Sequence, residues 1–279
     1  MIRCIFSTLF VTLTGVAALA DDVRFTLLEK GATYEMDEAG GLHLLKNEFV
    51  SETILSEGGA IVEGIVKHAG GVDPIFELEA SESFFNRYAH SYVDFAALDK
   101  AHPNSGYVVN IRGRNSAITG LTLMFHGPEG KAQLPDPITM TLVQENKETG
   151  FAQVDPDKDL HLVWSEFSKG AADPRGILDD LIFALVSDCH GNSVSRSGIP
   201  LIMPEYLTFR AGKHVIPADR LQPGLTHEAT VIHVNGVDTR QVGETVAMVS
   251  YNTTTKMNFR TTGQTAGPAC AEADQTLSR

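Results

Sequence analysis

Positive charge and sulfur are both scarce in this chain. It carries 22 Lys and Arg against 35 Asp and Glu, a formal net charge of −13. A surface of that sign repels phosphate, which argues against nucleic acid or an anionic membrane surface as partner. Tryptophan occurs once and cysteine three times. Beyond the first 20 residues there is no apolar run long enough for a transmembrane helix. Sustained apolar periodicity of 3.6 residues is also rare, which excludes a helical bundle. There is no Gly-x-Ser-x-Gly nucleophile elbow. The pairs Gly40-Gly41, Gly58-Gly59 and Gly70-Gly71 precede no helical pattern, so they read as strand connections rather than phosphate cradles.

Residues 1–20 have the form of a secretory signal. Arg3 supplies the positive start, Ile5 to Val16 the short apolar stretch, and Ala18-Leu19-Ala20 the small-x-small cleavage pattern. Cleavage before Asp21 is therefore expected. It leaves 259 residues with 21 basic and 35 acidic side chains, a net charge of about −14. The expected location is secreted or periplasmic. Cys4 leaves with the leader, and Cys189 and Cys270 remain. An even count in an exported protein permits one disulfide; the alternative is two unpaired thiols. Closing the 81-residue separation would stabilise the chain by about 4–5 kcal/mol in the chain-entropy model.

What is abundant is short β-rich runs bounded by Gly, Pro, Asn and Asp. The first half predicts strands near Val23–Leu28, Phe49–Leu55, Ala60–Val66, Ile75–Glu79, Gly106–Arg112, Leu121–Phe125 and Ile138–Val143. Between them, Ser83 to Leu98 carries Phe84, Phe85, Tyr88, Tyr92 and Phe95, as a short helix or a loop packed over a sheet end. Leu134-Pro135-Asp136-Pro137 and the polar run Glu145 to Asp159 bracket a domain junction. In the second half Leu160, Leu162 and Trp164 alternate with His161, Val163 and Ser165, as in a strand with one buried face, and Asp180 to Ser187 is almost wholly apolar. Tyr206–Phe209 and His214–Ile216 predict short strands, and 245–251 reads as strand or helix. A turn at Pro223-Gly224 feeds the alternating strand Glu228 to Val234, and Asn235-Gly236 signals another turn. The expectation is an all-β protein of two β-sandwich-like domains, 21–137 and 145–261, followed by a flexible tail, 262–279.

The second half, about Glu145 to Thr261, resembles a fibronectin type III domain. The match lies in Trp164 on an early strand, the apolar strand Leu181 to Val186, and the turn Leu221-Gln222-Pro223-Gly224-Leu225-Thr226 leading into an alternating strand. In that family a tyrosine after the turn packs inward and bonds upstream backbone, the tyrosine corner. His227 holds that position here. The resemblance implies a sandwich with His227 and Trp164 as structural corner residues; it implies no activity, since this scaffold hosts many roles.

Few residues stand in catalytic or ligating patterns. Asp155, Asp157 and Asp159 fall at positions 1, 3 and 5 of a calcium-loop pattern with Glu166 at position 12, but Leu160 occupies the position that needs glycine. This reads as an acidic turn entering a strand, with a looser calcium site on the three aspartates as the one cofactor expectation. His227 and His233 share a strand face roughly 20 Å apart and cannot share a metal. Asn252-Thr253-Thr254 fits a glycosylation sequon. Glu77 and Glu79 share a strand face roughly 7 Å apart, a separation that suits glycoside chemistry. The leading reading is a non-enzymatic binding or interaction protein of the cell surface or periplasm, with a protein or carbohydrate partner, binding through sandwich-end loops or the aromatic region Phe84–Phe95. The rival is a polysaccharide-acting extracellular enzyme with a fibronectin-like accessory domain, using Glu77, Glu79 or His90.

Overall fold

A computed structural model describes residues 21–125, 133–203 and 205–270; the expected signal segment at 1–20 and the end of the tail lie outside them. The chain runs β1 (Val23–Met36), β2 (Leu42–Leu55), β3 (Ile61–His68), β4 (Pro74–Leu78), β5 (Phe85–Tyr92), α1 (Phe95–Ala101), β6 (Gly106–Gly113) and β7 (Ala117–Met124). It continues with β8 (Met140–Gln144), β9 (Lys147–Glu148), β10 (Leu160–Trp164), β11 (Leu181–Asp188), β12 (Ser193–Arg196), β13 (Leu207–Thr208), β14 (Lys213–Ile216), β15 (Thr226–Val242) and β16 (Thr245–Arg260). The described residues are all-β apart from this one helix of seven residues, about two turns. Ser83 to Leu98 resolves into an edge strand and the start of that helix, where Asp94 caps the Ala97 N–H at 2.7 Å.

One sheet organises the whole. Its order is β12-β11-β15-β16-β1-β2-β5, with β13 beside β11. β1 runs parallel to β16, and the other neighbours in this sheet pair antiparallel. Side chains alternate across its faces, so Leu28, Phe49, Val249 and Tyr251 point the same way as Ala184, Val231, Met257 and Phe259. Two small sheets sit side by side on that front face. The sheet β4-β3-β6-β7 closes one core over Leu28, Phe49 and Tyr251 with Val66, Phe76, Tyr107 and Leu123. The sheet β14-β10-β8-β9 closes the other over Val186, Val231 and Phe259 with Leu142, Leu162 and Trp164. On the back face Phe25, Leu27, Ile54, Val234 and Met248 are covered in part by Leu178 and Ile199. The stretches 21–137 and 145–261 thus both lend strands to one sheet.

The two long strands make this possible, and here the turn expected at Asn235-Gly236 is corrected. Asn235 is fully buried opposite Tyr251, and β15 carries on to Val242 through a bulge between Gly236 and Asp238. The hairpin turns instead at Gly243, where φ is +59°. Likewise 245–251 is strand, the first part of β16, which runs on to Arg260. Asp238, beside the bulge, takes Arg175 at 2.7 Å and Arg240 at 2.9 Å and accepts the Met124 N–H at 3.0 Å, which ties β7 to β15.

In the second unit the strands in chain order are β8, β10, β11, β12, β14, β15 and β16. The first, second and fifth pair as one sheet (β8-β10-β14), and the others as β12-β11-β15-β16. That division follows the immunoglobulin-type arrangement, in which early and late strands split between two layers, and it defines a fibronectin type III-like sandwich. Trp164 sits in the core with its Nε1 donating to the Ala211 carbonyl at 2.9 Å.

Because β15 and β16 carry both cores, damage in one must be felt in the other. Leu123→Ala, fully buried in the first core, should cost about 2–5 kcal/mol. The fluorescence melt of the single Trp164, which lies in the second core, should shift down with the global transition. An unchanged Trp164 transition would show that the two cores melt independently.

Candidate functional site

The free end of the second sandwich carries an open hollow of about 1100 Å³, lined by Asp188, His227, Glu228, Asn258, Arg260 and Gln264 among others. Its walls are built by local chemistry. The Asp188 carboxylate accepts the His190 and Asn192 N–H groups, each at 2.9 Å, and so closes the β11–β12 turn. Those bonds hold its pKa below the usual carboxylate range against the opposing pull of partial burial, the largest single influence. Gly191 takes the positive φ this turn needs, +81°. Opposite, Gly224 has φ +73°, and a Cβ there would lie 2.8 Å from the Thr265 nitrogen. Only glycine lets residues 263–265 lie so close against this turn.

The chain beyond β16 is a strap across this end. Cys189 and Cys270 are joined by a disulfide. The Thr226 N–H points at Cys270 Sγ at 3.4 Å, and His190 Nε2 meets the Pro268 carbonyl at 3.2 Å. Residues 262–270 of the expected flexible tail are therefore fixed at both ends; the remainder lies outside the described residues.

His227 does not reproduce the tyrosine corner. It is fully buried, stacked on Phe259 with ring centres 5.3 Å apart, and neither ring nitrogen makes a hydrogen bond of ordinary geometry to a described residue. Burial pushes its pKa down, with the nearby Leu225 carbonyl and Asp188 opposing. Thr261 takes over the corner's work. Its hydroxyl donates to the Gln222 carbonyl at 2.6 Å, its N–H to Leu225 O at 3.1 Å, and the Leu225 N–H returns to its hydroxyl at 3.2 Å. A β-branched hydroxyl just past the last strand thus holds the Pro223-Gly224 turn from outside.

The remaining sequence candidates scatter. Asp155 spends Oδ1 on the Asp157 N–H and its other oxygen stands 3.5 Å from Lys158, while Asp159 caps Ala218 N–H at 2.8 Å. Among the described residues no three His, Cys, Asp or Glu side chains gather as a metal site. Glu77 and Glu79 are exposed and border an open hollow of about 320 Å³ beside Val62 and Ala80. His90 is exposed on β5, against Tyr92. Of the aromatics, Tyr88 stacks on Phe76 at 4.4 Å and Tyr92 hydrogen-bonds His102, whereas Phe84 and Phe85 are about half exposed. His233 stacks on Phe167, and burial pushes its pKa to about 4. Asn252, the sequon residue, lies within β16 and donates to Glu29.

Two polar groups deep in the sheet carry no local sequence signature. On the back face Glu29 is buried, accepting from Ser250 at 2.8 Å and from Asn252. Around it stand Glu52 and Glu48, bridged by Arg87, with Lys46 on Glu48. Burial first, then the neighbouring Glu52, push the Glu29 carboxyl up to about 8. On the front face Lys30 is fully buried. The signal that finds both is positional: Glu29 and Lys30 interrupt an apolar run at successive positions, one per face of a central strand.

No family model matches the chain, and no curated protein matches it in sequence. Among solved structures it is similar to the FN1–FN3 domains of chicken CNTN1, with 9% identity over 86% of this chain and 66% of that one and a TM-score of 0.24. It is similar also to the BSP domain of a biofilm associated protein, with 12% identity over 86% and 30% of the two chains and a TM-score of 0.22. A third is the Yersinia pseudotuberculosis adhesin InvE, with 10% identity over 81% and 58% and a TM-score of 0.18. The chain spans less than two thirds of each. Scores this low carry no argument, so the fold assignment rests on strand order alone. Among the described residues no helix is long and apolar enough to cross a membrane.

Two measurements follow from the site. Glu29 binds a proton more tightly folded than unfolded, so its contribution to stability is fullest below about pH 4.5 and is lost as pH rises toward 8. The stability difference between the native chain and Glu29→Gln should therefore fall by a few kcal/mol from pH 5 to 8 in urea titrations; a difference flat in pH would mean the carboxyl is ionised throughout. Reduction of the disulfide, or Cys270→Ser, should cost about 4–5 kcal/mol by loop entropy, read as a lower melting temperature, and should open 262–270 to proteolysis.

Proposed function

We propose that this is an exported, non-enzymatic binding protein of the cell surface or periplasm, and that it binds through the hollow at the disulfide-closed end of its second sandwich. One observation carries the reading: that end combines a large open hollow with a rigid frame of turns and a covalent strap. Loops held at a sandwich end by a stiff scaffold are a common place for recognition. The lining supports a polar partner. Glu228 pairs with Lys256 at 2.8 Å, and Asn258, Gln264 and Arg260 add further donors and acceptors. Such a set fits the hydroxyls of a glycan or the polar surface of an envelope protein better than an apolar ligand. The net negative charge fits neither nucleic acid nor an anionic lipid surface. The rival enzyme reading has less support, because Glu77, Glu79 and His90 are exposed and His90, on β5, belongs to a different sheet from β4, which bears Glu77 and leads into Glu79.

The test is binding of residues 21–279 to a glycan array and to solubilised envelope proteins. Retention on a specific glycan or protein is expected, weakened about tenfold or more by Arg260→Glu, since 1.4 kcal/mol is a factor of ten. Binding that survives both Arg260→Glu and Asn258→Ala would move the site elsewhere. No retention on any target, or turnover of a polysaccharide, would overturn the reading.

A further inference from the structure

The buried amine of Lys30 stands in an arrangement that a structural ion pair does not require. Lys30 lies at the centre of the large sheet with its side chain at 0% exposure. Its Nζ donates to Asp99 Oδ1 and to Asn104 Oδ1, each at 2.6 Å. The ring of Phe125 lies 5.0 Å away and that of Tyr251 5.9 Å away, so the surroundings are apolar and aromatic. A carbonyl bond is about 1.2 Å, which puts Nζ within about 3.8 Å of Asn104 Cγ. That is close to the separation of about 3–3.5 Å from which groups held in place react.

The amide is held in position. Tyr251 donates its hydroxyl to Asn104 Oδ1 at 2.6 Å. Tyr107 donates to the Pro103 carbonyl at 2.8 Å and fixes the backbone one residue earlier. His102, which ends α1, stacks on Phe49 at 3.8 Å and meets Tyr92 Oη at 2.6 Å. Asn104 Nδ2 donates to no described residue, and Asn104 is half-buried, so the amide nitrogen has a path to solvent. An amine, an amide carbonyl, a hydroxyl on that carbonyl's oxygen and a carboxylate on the amine therefore meet at one point.

We propose that Lys30 and Asn104 join as an intramolecular isopeptide bond, made by the folded chain itself. Asp99 takes a proton from the Lys30 ammonium, leaving a neutral amine. Burial favours that step by holding the Lys30 pKa below its ordinary value, although Asp99 opposes it. The Nζ lone pair attacks Asn104 Cγ, and the C=O electron pair moves onto Oδ1. Tyr251 donates to the oxygen that gains charge, as an oxyanion hole does. Its phenol, raised by burial, remains protonated. As the intermediate collapses, the Cγ–Nδ2 bond breaks. Nδ2 receives the proton held by Asp99 and leaves as ammonia, which takes up the proton released by Nζ and departs as ammonium. The balance is one ammonium and one amide in, one secondary amide and one ammonium out, with Asp99 restored and no oxidant or co-reactant. The bond ties β1 to the segment between α1 and β6 and closes a separation of 74 residues.

The test is mass spectrometry of the purified, folded and then disulfide-reduced protein. The expected mass is lower than that of the sequence with the same termini by one ammonia. Tryptic mapping should show no cleavage after Lys30 and a branched peptide joining Lys30 to Asn104. Asp99→Ala should retain the full mass, with Lys30 cleaved normally. A native protein, folded by circular dichroism and held for days at neutral pH, that keeps its full mass and yields separate Lys30 and Asn104 peptides would overturn the proposal. The native chain alone decides this, whether or not the variant folds.

Discussion

Everything in this molecule hangs on the antiparallel pairing of β15 with β16. Strands of 17 and 16 residues are about three times the usual length, and only that length lets one ladder serve two cores. Near Thr226 and Arg260 the pair closes a fibronectin-like sandwich; near Val242 and Thr245 it lies in the first unit's platform. A straight ladder this long would twist away from the small sheets that cover it. The bulge at Gly236–Asp238 falls where cover passes from one sheet to the other, and Asp238 pins that point with two arginines and the Met124 amide.

The second half was the more legible in sequence, and the reasons are local. Leu160 to Trp164, Leu181 to Val186 and Glu228 to Val234 each show period-two burial within their own residues, and Pro223-Gly224 is a turn wherever it occurs. Asn235-Gly236 misled because its dihedral preference suits a hairpin, whereas the partner that keeps it in a strand, Tyr251, is supplied by another segment. The corner residue was legible as a position but not as a mechanism. Thr261, which does the bonding, lies 34 residues after His227 and carries no motif.

The polar core was the least legible part. The segment Glu29-Lys30-Gly31 looks like a strand end, since charge seldom enters the middle of a sheet. What makes it tolerable is remote: Ser250 and Asn252 for Glu29, Asp99 and Asn104 for Lys30. Conversely, Asp155, Asp157 and Asp159 look like ligands in sequence because spacing alone shows which carboxylates are near. It does not show that two of them are already occupied with backbone amides.

The parallel contact of β1 with β16 has a mechanical meaning. Twelve consecutive residue pairs, Phe25↔Val246 to Met36↔Met257, register the first strand against the last. Tension applied at the start of β1 and at the end of β16 pulls the two strands past each other along their length. Their hydrogen bonds lie across that direction, so they share the load together instead of opening one after another as they would at a peeled edge. Force applied at those two strand ends therefore meets the shared resistance of twelve pairs in the middle of the widest sheet.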